Sequence, residues 1–233
     1  MNLELTVNPR SADPAVRYFL EARLLGLNDR VRLLQEQYGP LSNVSNAGFD
    51  SSVYLTSTVP PRVLKIYHEL EKKVGISKAH EIVTRYCSDT SRALKITGRN
   101  PNPACDSVEI NGKKYSLHFI VIPQGIPMRH KERFVYSVGQ EYIQEQSVIE
   151  NFYRYNEGKQ DCFVSKRIFH ELEDFLSHFS DHINNKLGTK FWLCVTNAKA
   201  ELDEKNNRLV IYVTDLGNNL HDHYVHNSVL GPG

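Results

Sequence analysis

Two short apolar runs parted by a double proline constrain this chain more than any other stretch. Val53-Tyr54-Leu55 and Val63-Leu64-Lys65-Ile66-Tyr67 have strand-like composition, and Pro60-Pro61 lies between them. Proline supplies no donor to a sheet ladder, so Ser45 to Tyr67 reads as loop, strand, turn, strand. A single lysine, Lys65, sits inside the second run. Burying an ammonium is costly unless it is paired or meets an anion. The residues alone leave two readings of Lys65. It is an edge-strand lysine whose stem packs and whose head reaches water, or it is aimed at a phosphate.

The whole chain sets the frame around that stretch. Its 233 residues suit one domain or a two-lobed unit. Lys+Arg 28 against Asp+Glu 27 is a balanced charge, which does not suggest a general nucleic-acid or polyanion binder. Hydrophobic residues at 40% support a core. No apolar run approaches the roughly 20 residues that span a membrane. The start, MNLELTVNPR, has no basic-then-apolar signal pattern. Cys87, Cys105, Cys162 and Cys194 are scattered and form no C-x-x-C pair. They read as free thiols in a reducing compartment, and the expected location is cytoplasmic.

Periodicity supplies the elements. Ala12 to Tyr38 reads as one or two helices, with Gly26 as the interruption. A helix over Ser77 to Leu94 carries the stripe Ile76, Ala79, Ile82, Val83 and Tyr86. Glu69 and Glu71 are assigned to the connection before it. Ser107 to Ile110 and Lys113 to Pro123 flank Asn111-Gly112, the signature of a type I′ hairpin. Leu117 to Ile122 is apolar enough to be a central strand. Arg129, His130, Lys131 and Arg133 form a short basic cluster, expected on a solvated face. Phe134 to Tyr155 reads as helical, with its aromatics packing. Ser165 to Leu187 repeats apolar residues at three and four and ends at Gly188. His178 and His182 on it lack the Glu of H-E-x-x-H, so no metal site is expected there. Phe191 to Val195 and Arg208 to Val213 are strand-like, parted by the polar turn Asp203 to Asn207. His221, Asp222, His223 and His226 near the end are expected in a solvated tail rather than a metal cluster.

The order of these elements resembles the protein kinases. Gly48 to Leu55 stands where a kinase has its glycine-rich loop and first strand, and Val63-Leu64-Lys65-Ile66 where it has V-A-I-K. Against G-x-G-x-x-G the chain has Asn46, Gly48 and Ser51. A helix, a strand hairpin and Asp215-Leu216-Gly217 follow in the order that leads to D-F-G. The resemblance spans residues 41–217 by element order. It implies an α+β, two-lobed fold: an N-terminal helical extension over 1–40, a small antiparallel-sheet lobe over 41–125, and a truncated helical lobe over 126–233. It also implies a nucleotide site. Gly48 and Val53 would cover ATP, Lys65 would contact its phosphates, and Glu81 would pair with Lys65 from the next helix. Pro123 to Pro127 would be the hinge over the base, and Asp215 would hold Mg²⁺.

The catalytic loop departs from that pattern. Counting back from Asp215 puts Asn197 where kinases have the Asp of H-R-D, with Lys199 two beyond and Leu202 at the metal-binding Asn. An amide does not accept a proton as a carboxylate does. Sixteen residues follow Gly217, with no A-P-E segment among them. The expectation is a pseudokinase-like nucleotide-binding or regulatory protein without ordinary phosphotransfer. Two alternatives stand beside it: a divergent active ATP-dependent phosphotransferase, and a protein-interaction module with no nucleotide site. The expected partners are a nucleotide or another protein.

Overall fold

The computed structural model describes residues 25–45, 50–96, 98, 106–131, 133–216, 220 and 222–226. The first half of the helical stretch expected over 12–38 lies outside them. The second half is helix α1, Leu27–Tyr38, which ends at Gly39 with φ +74°. The chain is α+β, with one antiparallel sheet, one mixed sheet and helices packed on both.

The antiparallel sheet has five strands in the order β1-β2-β3-β7-β6. These are β1 Leu41–Ser45, β2 Ser52–Thr56, β3 Arg62–Ile66, β6 Ile126–His130 and β7 Phe134–Glu141. Pro60-Pro61 makes the β2–β3 turn, with a cis Val59–Pro60 bond. One face of this sheet presents Tyr54, Leu64, Ile66, Phe134 and Tyr136, which bury Leu34 of α1. Period-2 alternation puts Val53, Leu55, Val63 and Lys65 on the opposite face.

The second sheet has four strands in the order β4-β5-β9-β8, with β5 and β9 parallel. They are β4 Ser107–Ile110, β5 Lys113–Val121, β8 Ala198–Asp203 and β9 Arg208–Val213. Asn111 and Gly112 have φ of 51° and 75°, as a type I′ turn requires. The larger core lies here, between the sheet and three helices: α3 Ile76–Leu94, α4 Val148–Asn156 and α5 Lys166–Leu187. Phe119 of β5 stacks on Phe179 of α5 with ring centroids 4.5 Å apart. Ser165 caps α5 by accepting from the Ile168 amide, and Gly188 ends it in the left-handed conformation.

Several sequence expectations are corrected. Residues 107–121 join the second sheet and 126–141 the first, so the halves expected to part at residue 125 interlock. Phe134–Glu141 is a strand, not helix, because its aromatic and β-branched side chains alternate between the two faces. Helix α2, His68–Val74, replaces the connection that was to hold Glu69 and Glu71. Phe191 to Val195 has the alternating burial of a strand but no ladder. Its backbone is held by α5 instead: Asn184 Oδ1 accepts from the Phe191 amide at 2.6 Å, and Asn184 Nδ2 and Ser180 Oγ donate to the Phe191 carbonyl at 2.7 and 2.6 Å. The strand that pairs with β9 starts only at Ala198.

Candidate nucleotide site

Lys65 is on the third of five strands, between β2 and β7, so the edge-strand reading does not hold. Val53 lies directly opposite it on one side and Ser137 on the other. Directly opposed residues share a sheet face, so these three side chains form a row. The Lys65 side chain is only 12% exposed. An ammonium so buried needs a counter-charge, and it has one: Lys65 Nζ donates to Asp215 Oδ2 at 3.0 Å across 150 residues of sequence.

The backbone around Asp215 is braced on several sides. Thr214, just before it, donates through both its amide and Oγ1 to the Asn197 carbonyl, each at 2.9 Å. Gln124, itself buried, donates from Nε2 to the Thr214 carbonyl at 2.6 Å. The Gln124 amide in turn donates to Thr90 Oγ1 of α3 at 3.0 Å. These bonds join the end of β9 to α3 and to the turn at Val195–Asn197.

Helix α3 closes the site with a phenol. Tyr86 Oη donates to Asp215 Oδ1 at 2.5 Å and accepts from the Leu216 amide at 3.4 Å. Burial, then the Asp215 charge, push the Tyr86 hydroxyl well above its ordinary value, so it keeps its proton and acts as donor. Cys87 follows it, and burial pushes its thiol up to about 12 against the pull of Lys65.

Glu81 does not meet Lys65. It stands on the exposed face of α3 and accepts from Lys78 Nζ at 2.8 Å. Ala79, Ile82, Val83 and Tyr86 occupy the buried face, and at about 100° per residue position 81 falls outside that stripe. Tyr86, read from sequence as a packing residue, is the α3 side chain that reaches the site. The stripe that named it also excluded Glu81.

Part of the loop expected to cover a nucleotide, residues 46–49 with Gly48 among them, lies outside the described residues. Asp50 just after it is buried, accepting from Lys73 Nζ at 3.1 Å and from the Leu220 amide at 2.7 Å. Residue 220, beyond Asp215, is thereby fastened to the start of β2. Pro123 to Pro127 is not a hinge from the first sheet: it carries the chain from β5 of the second sheet into β6 of the first. Gly125 within it sits at φ +91°, where a Cβ would meet the Val138 carbonyl oxygen at 2.1 Å. Residues 142–147 form the other crossing, from β7 to α4. Lys199 braces it, with its ammonium 4.1 Å from the Tyr142 ring centroid and donating to the Ile143 carbonyl.

Residues 194–199 hold no carboxylate, and Leu202 lies on β8 opposite Leu209. Among the described residues no group of three or more His, Cys, Asp or Glu side chains is arranged to hold a metal ion. Asp215 alone would suit Mg²⁺ in the manner usual for that ion, which takes one or two carboxylates and draws its remaining ligands from phosphates and water. His223 is buried rather than solvated, stacked on Phe191 at 4.8 Å. No helix among the described residues is long and apolar enough to cross a membrane. Compared with protein-family models, with curated proteins and with solved structures, the chain matches none.

Proposed function

We propose that the chain is a pseudokinase-like nucleotide-binding or regulatory protein. Lys65 contacts the phosphates of ATP, Asp215 holds Mg²⁺, and Val53 packs on the nucleotide beside Lys65. The observation that carries this reading is the 3.0 Å meeting of Lys65 with Asp215. In kinases a lysine on the third strand and the aspartate of D-F-G serve the same phosphates, the second through the metal. Two further features agree with it. Lys65 lies on the sheet face opposite α1, turned toward Asp215 and α3, and Val53, Leu55 and Val63 on that face are half-buried. The segment at the catalytic-loop position offers Asn197 and Lys199 but no base, which favours binding without ordinary phosphotransfer. Glu81 has no part in the site.

One observation favours the interaction-module alternative: both carboxylate oxygens of Asp215 already carry donors. Equilibrium dialysis with radiolabelled ATP separates the two readings. The nucleotide reading expects saturable binding by the wild type, weakened at least about tenfold by Lys65→Ala, the loss of a charge-assisted contact. Absence of saturable binding by folded wild type removes the nucleotide and leaves the interaction module.

A further inference from the structure

Where the kinase resemblance calls for a glutamate on the helix facing the lysine, this chain presents a hydroxyl. The Tyr86 ring is 2% exposed, held in the core with Tyr224 edge-on to it. Its hydroxyl reaches the carboxylate rather than the lysine: Oη to Asp215 Oδ1 at 2.5 Å, while Lys65 Nζ takes Oδ2. Each oxygen of the carboxylate therefore already accepts from a fixed donor. The Leu216 amide, 3.4 Å from Tyr86 Oη, leaves the phenol proton directed at Asp215. A cation that binds Asp215 uses the same lone pairs, and it must displace or share them with a donor anchored in the core.

We infer that Tyr86 is a positioning residue that holds Asp215 on Lys65 in competition with a divalent cation, so that nucleotide binding at this site depends only weakly on Mg²⁺. The inference rests on the nucleotide part of the reading above, Lys65 with ATP, and changes its metal part: Asp215 takes Mg²⁺ only against the Tyr86 donor. It assigns no proton transfer and no catalytic step to Tyr86. Its consequence is read through the metal: the hydroxyl occupies a carboxylate lone pair that a cation would use. Removing it deletes the Tyr86 donor to Oδ1 while keeping the ring that packs on Tyr224.

Calorimetric titration of ATP into the full chain, once with EDTA and once with excess Mg²⁺, tests this on the wild type, Tyr86→Phe and Lys65→Ala. In the wild type the two dissociation constants are expected to agree within about threefold, a small free-energy difference. In Tyr86→Phe, Mg²⁺ is expected to tighten ATP binding about tenfold or more, since a hydrogen bond to a charged group has been removed from the competition. A purely structural role for the phenol would change affinity equally in both media. Wild-type binding that vanishes in EDTA overturns the inference, whether or not Tyr86→Phe folds. So does a Tyr86→Phe protein whose affinity is the same in both media. ATP binding by wild type that is lost in Lys65→Ala keeps the nucleotide reading standing in those cases. No ATP binding by the wild type in either medium overturns the reading and the inference together.

Discussion

Replacing Arg30 with methionine should cost more than any surface charge change in this protein. Arg30 Nη1 meets Glu71 Oε2 at 2.6 Å, and the two side chains are 7% and 4% exposed. Glu71 Oε1 also accepts from the Val135 amide at 2.6 Å, so the pair ties α1 and α2 to β7. Arg30 lies over the Phe134 ring as well, at 5.5 Å. Burial pushes the Glu71 carboxyl above its ordinary value of 4.5, and the Arg30 guanidinium is the largest opposing influence. Removing one partner of a buried pair leaves an uncompensated charge and costs about 3–5 kcal/mol. For a chain of this size that is a drop of roughly 6–20 °C in melting temperature. The pH dependence has a definite sign. A carboxyl whose folded pKa is raised stabilises the fold below its unfolded pKa, and that stability is lost as pH rises through the folded value. Arg30→Met raises the folded value further, so its penalty should shrink as pH falls from 7 toward 5. Chemical denaturation at several pH values measures this. Adding Glu71→Gln keeps an acceptor for the Val135 amide and removes the charge, and the double variant should lie within about 1–2 kcal/mol of wild type at pH 7. A single variant that costs under about 1 kcal/mol, or a double variant no better than the single, refutes the reasoning.

Other perturbations have separate readouts. Gly125→Ala should destabilise by more than about 2 kcal/mol, because the added Cβ meets the Val138 carbonyl at a positive φ. Gly158→Ala, also at positive φ but with nothing within 4 Å, should cost only about 1 kcal/mol by the same denaturation assay. Asn184→Ala unpairs the Phe191 amide and should cost about 1–3 kcal/mol, with faster hydrogen exchange at that amide. Burial holds the His223 imidazole below its ordinary 6.5, with Asp89 opposing and Arg85 and Lys190 also facing it. A depressed histidine contributes stability that is lost as pH falls, so wild type should lose stability below about pH 6.5 and His223→Phe should lose less. The Cys87 thiol, pushed up to about 12 and buried, should resist maleimide in the native protein at neutral pH and react on unfolding, as peptide mapping would show.

What sequence reasoning reached, and what it missed, follows from the range of each interaction. The Asn111-Gly112 hairpin and helix α5 are encoded locally, by turn chemistry and by a 3.6-residue repeat, and both are present. Tyr86 was in plain view in the α3 stripe but looked like core, because a buried tyrosine shows its hydroxyl's partner only when the fold supplies Asp215. The kinase resemblance implies Glu81 by its place in the middle of the helix after the Lys65 strand, although the apolar stripe of that helix turns it outward. The parallel pairing of β5 with β9 joins segments such as Ser116 and Arg208, and no local pattern announces it. Phe191 to Val195 mimics a strand because alternate residues are buried, yet side chains of α5 replace the ladder. The Arg30–Glu71 pair is hidden in the sequence for the same reason as the Tyr86 hydroxyl's contact: only the fold brings the partners together, here across 41 residues.

The central claim is that Lys65 and Asp215 form a nucleotide site. The melting temperature of wild type and of Lys65→Ala, each with and without Mg-ATP, tests it most directly. A ligand at 100 times its dissociation constant stabilises by about 2.7 kcal/mol, which corresponds to roughly 5–11 °C for a chain of this length. That shift is expected in the wild type, with its loss or marked reduction in Lys65→Ala. A folded wild type whose melting temperature does not move at saturating nucleotide, or a shift of equal size in both proteins, would contradict it.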